Sequence, residues 1–271
     1  MGKVISICNQ KGGVGKTTTT VSLGVGLVNQ GYKVLLIDAD PQGDLTTSLG
    51  WYDNDNMQHT LSSLIDMVIH DKSYDFPNDI NQAILHHAEG MDVIPANIDL
   101  ADMETQLVTT MNREATIKRI IDGVRDNYDY ILIDCMPSLG MITVNALTAS
   151  DSVIIPVQAQ FLPAKGMTSL ITTINKVNKY LNPNLEIEGV LITLSDRRTN
   201  LSKQTANMIR SNFGEYLKIF DIEIPVAVKA AETSAHGASI LKYDAKGTVA
   251  KAYSELAKEV GDNEWKWMGY N

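Results

Sequence analysis

The sequence predicts an α/β fold: a doubly wound, mainly parallel sheet with helices on both faces. Three observations lead there. The strand-like runs are continuously apolar rather than alternating, as expected of strands covered on both sides. They alternate with longer amphipathic segments, the β-α-β-α order that builds parallel sheets through right-handed crossovers. The first run also passes straight into a glycine-rich loop that opens a helix.

In chain order the strand-like runs are VISIC (4–8), KVLLID (33–38), MDVIPA (91–96), YDYILIDC (128–135), SVIIPV (152–157), EIEGVLITL (186–194) and IFDIEIP (219–225). Amphipathic segments lie between and after them at about 16–30, 57–69, 97–111, 113–126, 139–149, 164–181, 201–213 and 247–260. Gly31 follows the first of these as a helix C-cap. Residues 50–90 are the least regular stretch. Their four histidines, His59, His70, His86 and His87, fit no common ligand spacing and read as solvated side chains. No internal repeat, low-complexity segment or proline-rich linker interrupts the pattern. One domain over 1–271 is therefore expected, with 261–271 as a short C-terminal tail.

Composition bounds the function. The 271 residues are 44% hydrophobic, enough for a sizeable core. No apolar run reaches the ~18 residues that span a bilayer. The N-terminus reads as a strand entering a loop, not as a signal peptide. Cys8 and Cys135 sit in strand patterns without C-x-x-C spacing, as buried reduced thiols of a cytoplasmic protein do. The net charge of −9 is regional. Residues 38–104 carry fourteen acidic side chains and one basic one, Lys72, a net of −13; the other 204 residues are net +4. A basic face outside that region is compatible with the totals.

The chemistry concentrates in NQKGGVGKTT (9–18). A phosphate-binding loop turns backbone N–H groups toward phosphate oxygens at the mouth of a helix. Gly12, Gly13 and Gly15 supply the tight path. Lys16 is placed for the β/γ-phosphates and the Thr17 hydroxyl for Mg²⁺. The usual G-x-x-x-x-G-K-[ST] pattern is incomplete, because its first glycine would fall at Gln10. Asp38 and Asp40 end the second strand run and Asp134 ends another, so all three face the loop's crevice. Asp134 reads as the residue that orders Mg²⁺ through water, and Asp38 or Asp40 as the one that polarises an attacking water. Gly140 begins a second flexible segment.

These residues carry a family resemblance. KGGVGKTT, DADPQGD and ILIDCMPSLG resemble the deviant Walker A (P-loop) ATPases of the ParA/MinD group. ITLSDRRTNLSKQ (192–204), IPVAVKAAETSAHG (224–237) and YDAKG (243–247) are similar to the partition branch, from Lys3 to about Val260. The resemblance implies a deviant P-loop fold, the cofactors ATP and Mg²⁺, and slow ATP hydrolysis. It implies that Lys11 crosses an ATP-bound homodimer to the phosphates held by the other subunit. A cation in a desolvated interface is worth far more there than in water. The implied catalytic set is Lys11, Lys16 and Asp40. The implied nucleotide set is Lys11, Gly12, Gly13, Val14, Gly15, Lys16, Thr17 and Thr18, with Pro225 and Val226 on the base side. The implied metal set is Thr17, Asp40 and Asp134.

The partition branch implies non-specific double-stranded DNA and a ParB-like centromere-binding protein as partners, with the ATP-bound dimer on the nucleoid. Arg198, Lys203, Arg210 and Lys229 are the expected DNA contacts, and such contacts to phosphate carry no sequence preference. The alternative is a MinD-like positioning ATPase at a membrane. That branch ends in a basic amphipathic helix, whereas this chain ends AKEVGDNEWKWMGYN, with Trp265, Trp267 and Tyr270 and no excess of positive charge. Membrane binding is therefore not expected. The chain departs from the family at Val226, where relatives carry arginine, at Lys229 for a second arginine, at Thr233-Ser234-Ala235, and at Lys165 for a glutamate.

Overall fold

The computed structural model describes residues 1–72, 76–159, 164–196 and 198–267, without the side chains of 164, 165 and 262–267. Among these residues eight strands form one sheet: β1 (Lys3–Ile7), β2 (Val34–Ala39), β3 (Leu85–His86), β4 (Asp92–Ile94), β5 (Tyr130–Cys135), β6 (Ser152–Gln158), β7 (Glu186–Ser195) and β8 (Ile219–Pro225). Their order is β3-β4-β2-β5-β1-β6-β7-β8. All neighbours run parallel except the edge pair β3–β4.

The connecting helices are α1 (Lys16–Val28), α2 (Asp44–Ser48), α3 (Leu61–Ile69), α4 (Phe76–Ala83), α5 (Leu100–Leu107), α6 (Thr116–Asp122), α7 (Met141–Ala149), α8 (Ala164–Tyr180), α9 (Asn200–Phe213), α10 (Val228–Glu232), α11 (Ile240–Tyr243) and α12 (Thr248–Trp267). Continuous apolar strands work here because successive side chains enter two separate cores. Leu35, Ile37, Ile131 and Ile133 pack with α3 to α9 on one face. Val34, Leu36, Tyr130 and Leu132 pack with α1, α2, α11 and α12 on the other. On that second face α12 covers α1, and Tyr253 meets Thr19 at 3.1 Å between hydroxyls.

Register fixes the crevice. Ile7 on β1 and Asp38 on β2 are both partners of Asp134 on β5. The loop after β1 and the carboxylates ending β2 and β5 therefore share one end of the sheet. The two cysteines lie one residue further along. Cys8 and Cys135 are both buried, with their sulfurs 2.7 Å apart. They are 127 residues apart in the chain, and neighbouring strands bring them together.

Several elements differ from the expectation. Two-residue β3 is too short to show periodicity. Helix α4, in FPNDINQA, buries only Ile80 and Ala83 on a polar background. Helices α2, α10 and α11 are single turns held by tertiary contacts. The last helix, expected over 247–260, continues to Trp267, so the expected tail 261–271 begins as helix. Arg197 and the side chains of Lys165, Trp265, Trp267 and Tyr270 lie outside the description given by the structure.

Candidate active site

Two residues of the β1–α1 loop adopt positive φ, Gly13 at 70° and Gly15 at 85°. That backbone is open to glycine at little cost and strained for other residues. The loop is braced at three points. Asn9 donates to the Pro156 carbonyl at 2.6 Å and accepts the Lys11 N–H at 2.9 Å. The Thr193 hydroxyl donates to the Val14 carbonyl at 2.7 Å. Leu194 next to it carries φ 49°, the left-handed region that branched residues avoid.

The two lysines sit in different environments. Lys16 is buried, and its ammonium donates to the Lys11 carbonyl at 3.4 Å, beneath the loop. Lys11 is exposed and reaches outward to Gln158 Oε1 at 3.3 Å. Thus one cation is built into the loop's floor and the other stands on its rim.

Opposite the loop, Asp134 is buried and accepts hydrogen bonds from the Thr17 hydroxyl at 2.6 Å and the Thr20 hydroxyl at 3.3 Å. Burial pushes its carboxyl up to about 8, and Asp38 beside it adds repulsion; Thr17 and Lys16 pull the other way. Asp38 is also buried, and burial pushes it up to about 7. One of its oxygens takes the N–H and hydroxyl of Thr46 at 2.8 and 2.6 Å, and the other takes the Asp40 N–H at 3.3 Å. Asp40 is half-buried, raised mainly by burial, and accepts the Gln42 N–H at 3.0 Å. Buried carboxylates that resist ionisation beside a threonine hydroxyl form an all-oxygen donor set suited to a hard divalent cation, whose charge would restore their ionised forms.

The structure brings Lys11, Gly12, Gly13, Val14, Gly15, Lys16, Thr17, Thr18, Asp40 and Asp134 to one crevice. Pro225 ends β8 and half-exposed Val226 donates its N–H to Ser195 at 3.2 Å, tying the ends of β7 and β8 together. A cavity of about 530 Å³ runs alongside α1 from Thr17 and Thr18 past Asp44 and Tyr52 to residues 230–240, and Pro225 and Val226 are not on its walls. Asn9, Thr20, Thr46 and Thr193 escaped the sequence reading. Asn9 could have been found, since it opens the loop motif; the others act through long-range contacts.

The expected DNA-contact residues follow β7 and β8 in the chain and are engaged differently. Arg198 is 85% exposed, with its guanidinium forked onto Asp196 at 2.9 and 3.0 Å. Lys203 is exposed on α9. Lys229 pairs with Asp244 at 2.9 Å. Arg210 is half-buried, donating to the Phe220 and Asp221 carbonyls and to Glu223 at 3.3 to 3.4 Å. Arg210 thus holds α9 against β8, and its charge is partly spent within the fold. Among the histidines, His86 meets Asp92 at 2.6 Å and His87 lies 3.3 Å from the Gly237 carbonyl. No helix among the described residues is long and apolar enough to cross a membrane.

Comparison with known proteins places this crevice in a family. Residues 2–187 match the AAA domain family AAA_31. The chain is 45% identical to the sporulation initiation inhibitor protein Soj of Bacillus subtilis, across 97% of this chain and 100% of that protein. It is 42% identical to the chromosome partitioning protein ParA of Caulobacter vibrioides, across 97% and 95%. A solved Mycobacterium smegmatis structure described as cobyrinic acid a,c-diamide synthase with bound ATP analog and magnesium superposes with TM-score 0.83 at 35% identity, across 98% and 96%. The chain is an ATPase that belongs to the AAA_31 family of AAA domains and, within it, to the Soj/ParA group of chromosome-partitioning proteins.

Proposed function

We propose that this ATPase is a dimerising switch for DNA partition. ATP and Mg²⁺ are its cofactors, in keeping with the ATP analog and magnesium of the superposing structure. Lys16 and the N–H groups of residues 12–18 would hold the phosphates, and Thr17, Asp40 and Asp134 would hold the metal. Bound there, Mg²⁺ would neutralise charge on the β- and γ-phosphate oxygens. Asp40 orients the attacking water, and Pro225 and Val226 lie on the base side. Residues 1–271 act as one domain in this switch.

One observation carries the dimer: of two lysines in one loop, only Lys16 is buried beneath it, while Lys11 stands exposed on the rim. From that rim Lys11 would meet phosphates held by a second copy, so that nucleotide and dimer stabilise each other. The dimer places two sets of Arg198, Lys203, Arg210 and Lys229 on one duplex. Doubling a weak face raises affinity without reshaping the protein. A ParB-like centromere-binding protein triggers hydrolysis and release. The protein is cytoplasmic and joins the nucleoid in its ATP-bound state. The overall identity to Soj, higher than that to the diamide synthase structure, favours this reading.

Sedimentation with a non-cleavable ATP analogue, ADP or no nucleotide, each with and without non-specific duplex, tests it. The dimer should appear with the analogue alone and should carry the duplex. If the dimer engages ~6 phosphates, log K falls against log[salt] with a slope near −5. A monomer under saturating analogue refutes the proposal. Retention on anionic vesicles instead of duplex would favour the membrane alternative.

A further inference from the structure

We propose that Glu104 is a positioning residue that couples the segment after Asp40 to the segment after Asp134. It lies on α5, outside every motif of the loop. Its carboxylate accepts the N–H groups of Met141 at 2.6 Å and Ile142 at 2.8 Å, the opening residues of α7. Those N–H groups have no partner within their own helix, and a carboxylate there also meets the favourable end of the helix dipole. Gly140 and Glu104 are mutually fitted: a Cβ at position 140 would stand 1.8 Å from the Glu104 oxygen. The stretch from Asp134 to α7 is otherwise braced by itself, Ser138 accepting from Gly140 and Thr143 at 3.3 and 2.9 Å.

The connection leading into α5 is tied to Asp40 through Thr46 and Asp38. The Ala96 N–H, just before α5, donates to the Thr46 hydroxyl at 3.1 Å. Thr46 in turn gives its N–H and hydroxyl to Asp38, whose second oxygen holds the Asp40 N–H. Leu100, Met103 and Leu107 bury α5 in the core, so it moves as a body. Asp38 and Asp134 are register partners, which closes the circuit: Asp40, Asp38, Thr46, Ala96, α5, Glu104, α7, Asp134. A shift at one phosphate-facing segment is thereby felt at the other. This rests on ATP hydrolysis alone and stands apart from DNA or dimer formation.

Glu104→Gln is isosteric, removes the charge and keeps one acceptor of two. Steady-state hydrolysis should show kcat down about tenfold, the worth of one charge-assisted hydrogen bond. KM for ATP and ADP affinity should stay near those of the parent, and the melting temperature should fall by no more than the few degrees that a lost helix cap costs. An unchanged kcat overturns the proposal, as does a loss that merely tracks melting temperature and ADP affinity, since that is a stability cap. Amide hydrogen exchange gives an independent arm. In Thr46→Val, exchange at Met141 and Ile142 should quicken severalfold across the β4–α5 connection; exchange there equal to the parent's also overturns it.

Discussion

Replacing Asp134 with Asn should stabilise the nucleotide-free protein at alkaline pH while destroying metal-dependent nucleotide binding. The fold holds Asp134 protonated up to about pH 8, because burial and Asp38 disfavour its charge, whereas its ordinary value is 3.8. A carboxyl raised in the folded state contributes its full stability below the unfolded value and loses it as pH climbs through the folded one. At about 1.4 kcal/mol per unit, moving from pH 6 to 8.5 with a folded value of about 8 removes on the order of 2 to 3 kcal/mol. Asp38, raised by burial to about 7, loses stability over the same interval in the same direction. Urea unfolding in EDTA at the two pH values, for parent and Asp134→Asn, measures the difference directly. The variant should lose about 2 to 3 kcal/mol less across the interval than the parent. A pH dependence identical in both proteins would refute the assignment of a buried, reluctantly ionised carboxyl. The same ledger predicts that magnesium-nucleotide binding near pH 7 releases protons, measurable as a buffer-dependent heat.

Other perturbations separate the remaining roles. Lys16→Ala removes the cation beneath the loop and should weaken ATP binding by at least about 100-fold, the loss of charge-assisted contacts worth roughly 3 kcal/mol; parent affinity by fluorescent-nucleotide titration contradicts the loop assignment. Asp40→Ala should bind ATP, dimerise and stay on duplex with turnover down about 100-fold or more; persistent hydrolysis would make Asp40 merely structural. Arg198→Ala should spare ATP-driven dimerisation and lower the steepness of the salt dependence of duplex binding by about 2, one phosphate contact per subunit. Equal retention on duplex at matched salt removes Arg198 from the interface.

Fold class was legible because each central strand fills two cores, which forces unbroken apolar runs such as YILIDC and SVIIPV. The loop was legible because phosphate binding constrains consecutive residues. What the sequence hid depends on distant partners. Thr46 is one polar residue among many until β4 delivers the Ala96 N–H to it. Glu104 looks like one more charge of an acidic stretch until α7 starts against it. Arg210 reads as a surface cation from its helix alone; only the β8 carbonyls and Glu223 show that it is a clamp. Short elements such as β3 and α4 carry too few apolar residues for any period to emerge.

The packing of α12 on α1 has a bearing on synthesis. The phosphate loop is translated long before α12, yet the helix it opens rests on Tyr253, Leu256, Ala257 and Val260 of that later helix. A nascent chain stopped short of residue 248 has translated every phosphate-facing group and still lacks the floor beneath them. Completion of the pocket thus waits on translation of α12, and products terminated before it should be poor traps for ATP.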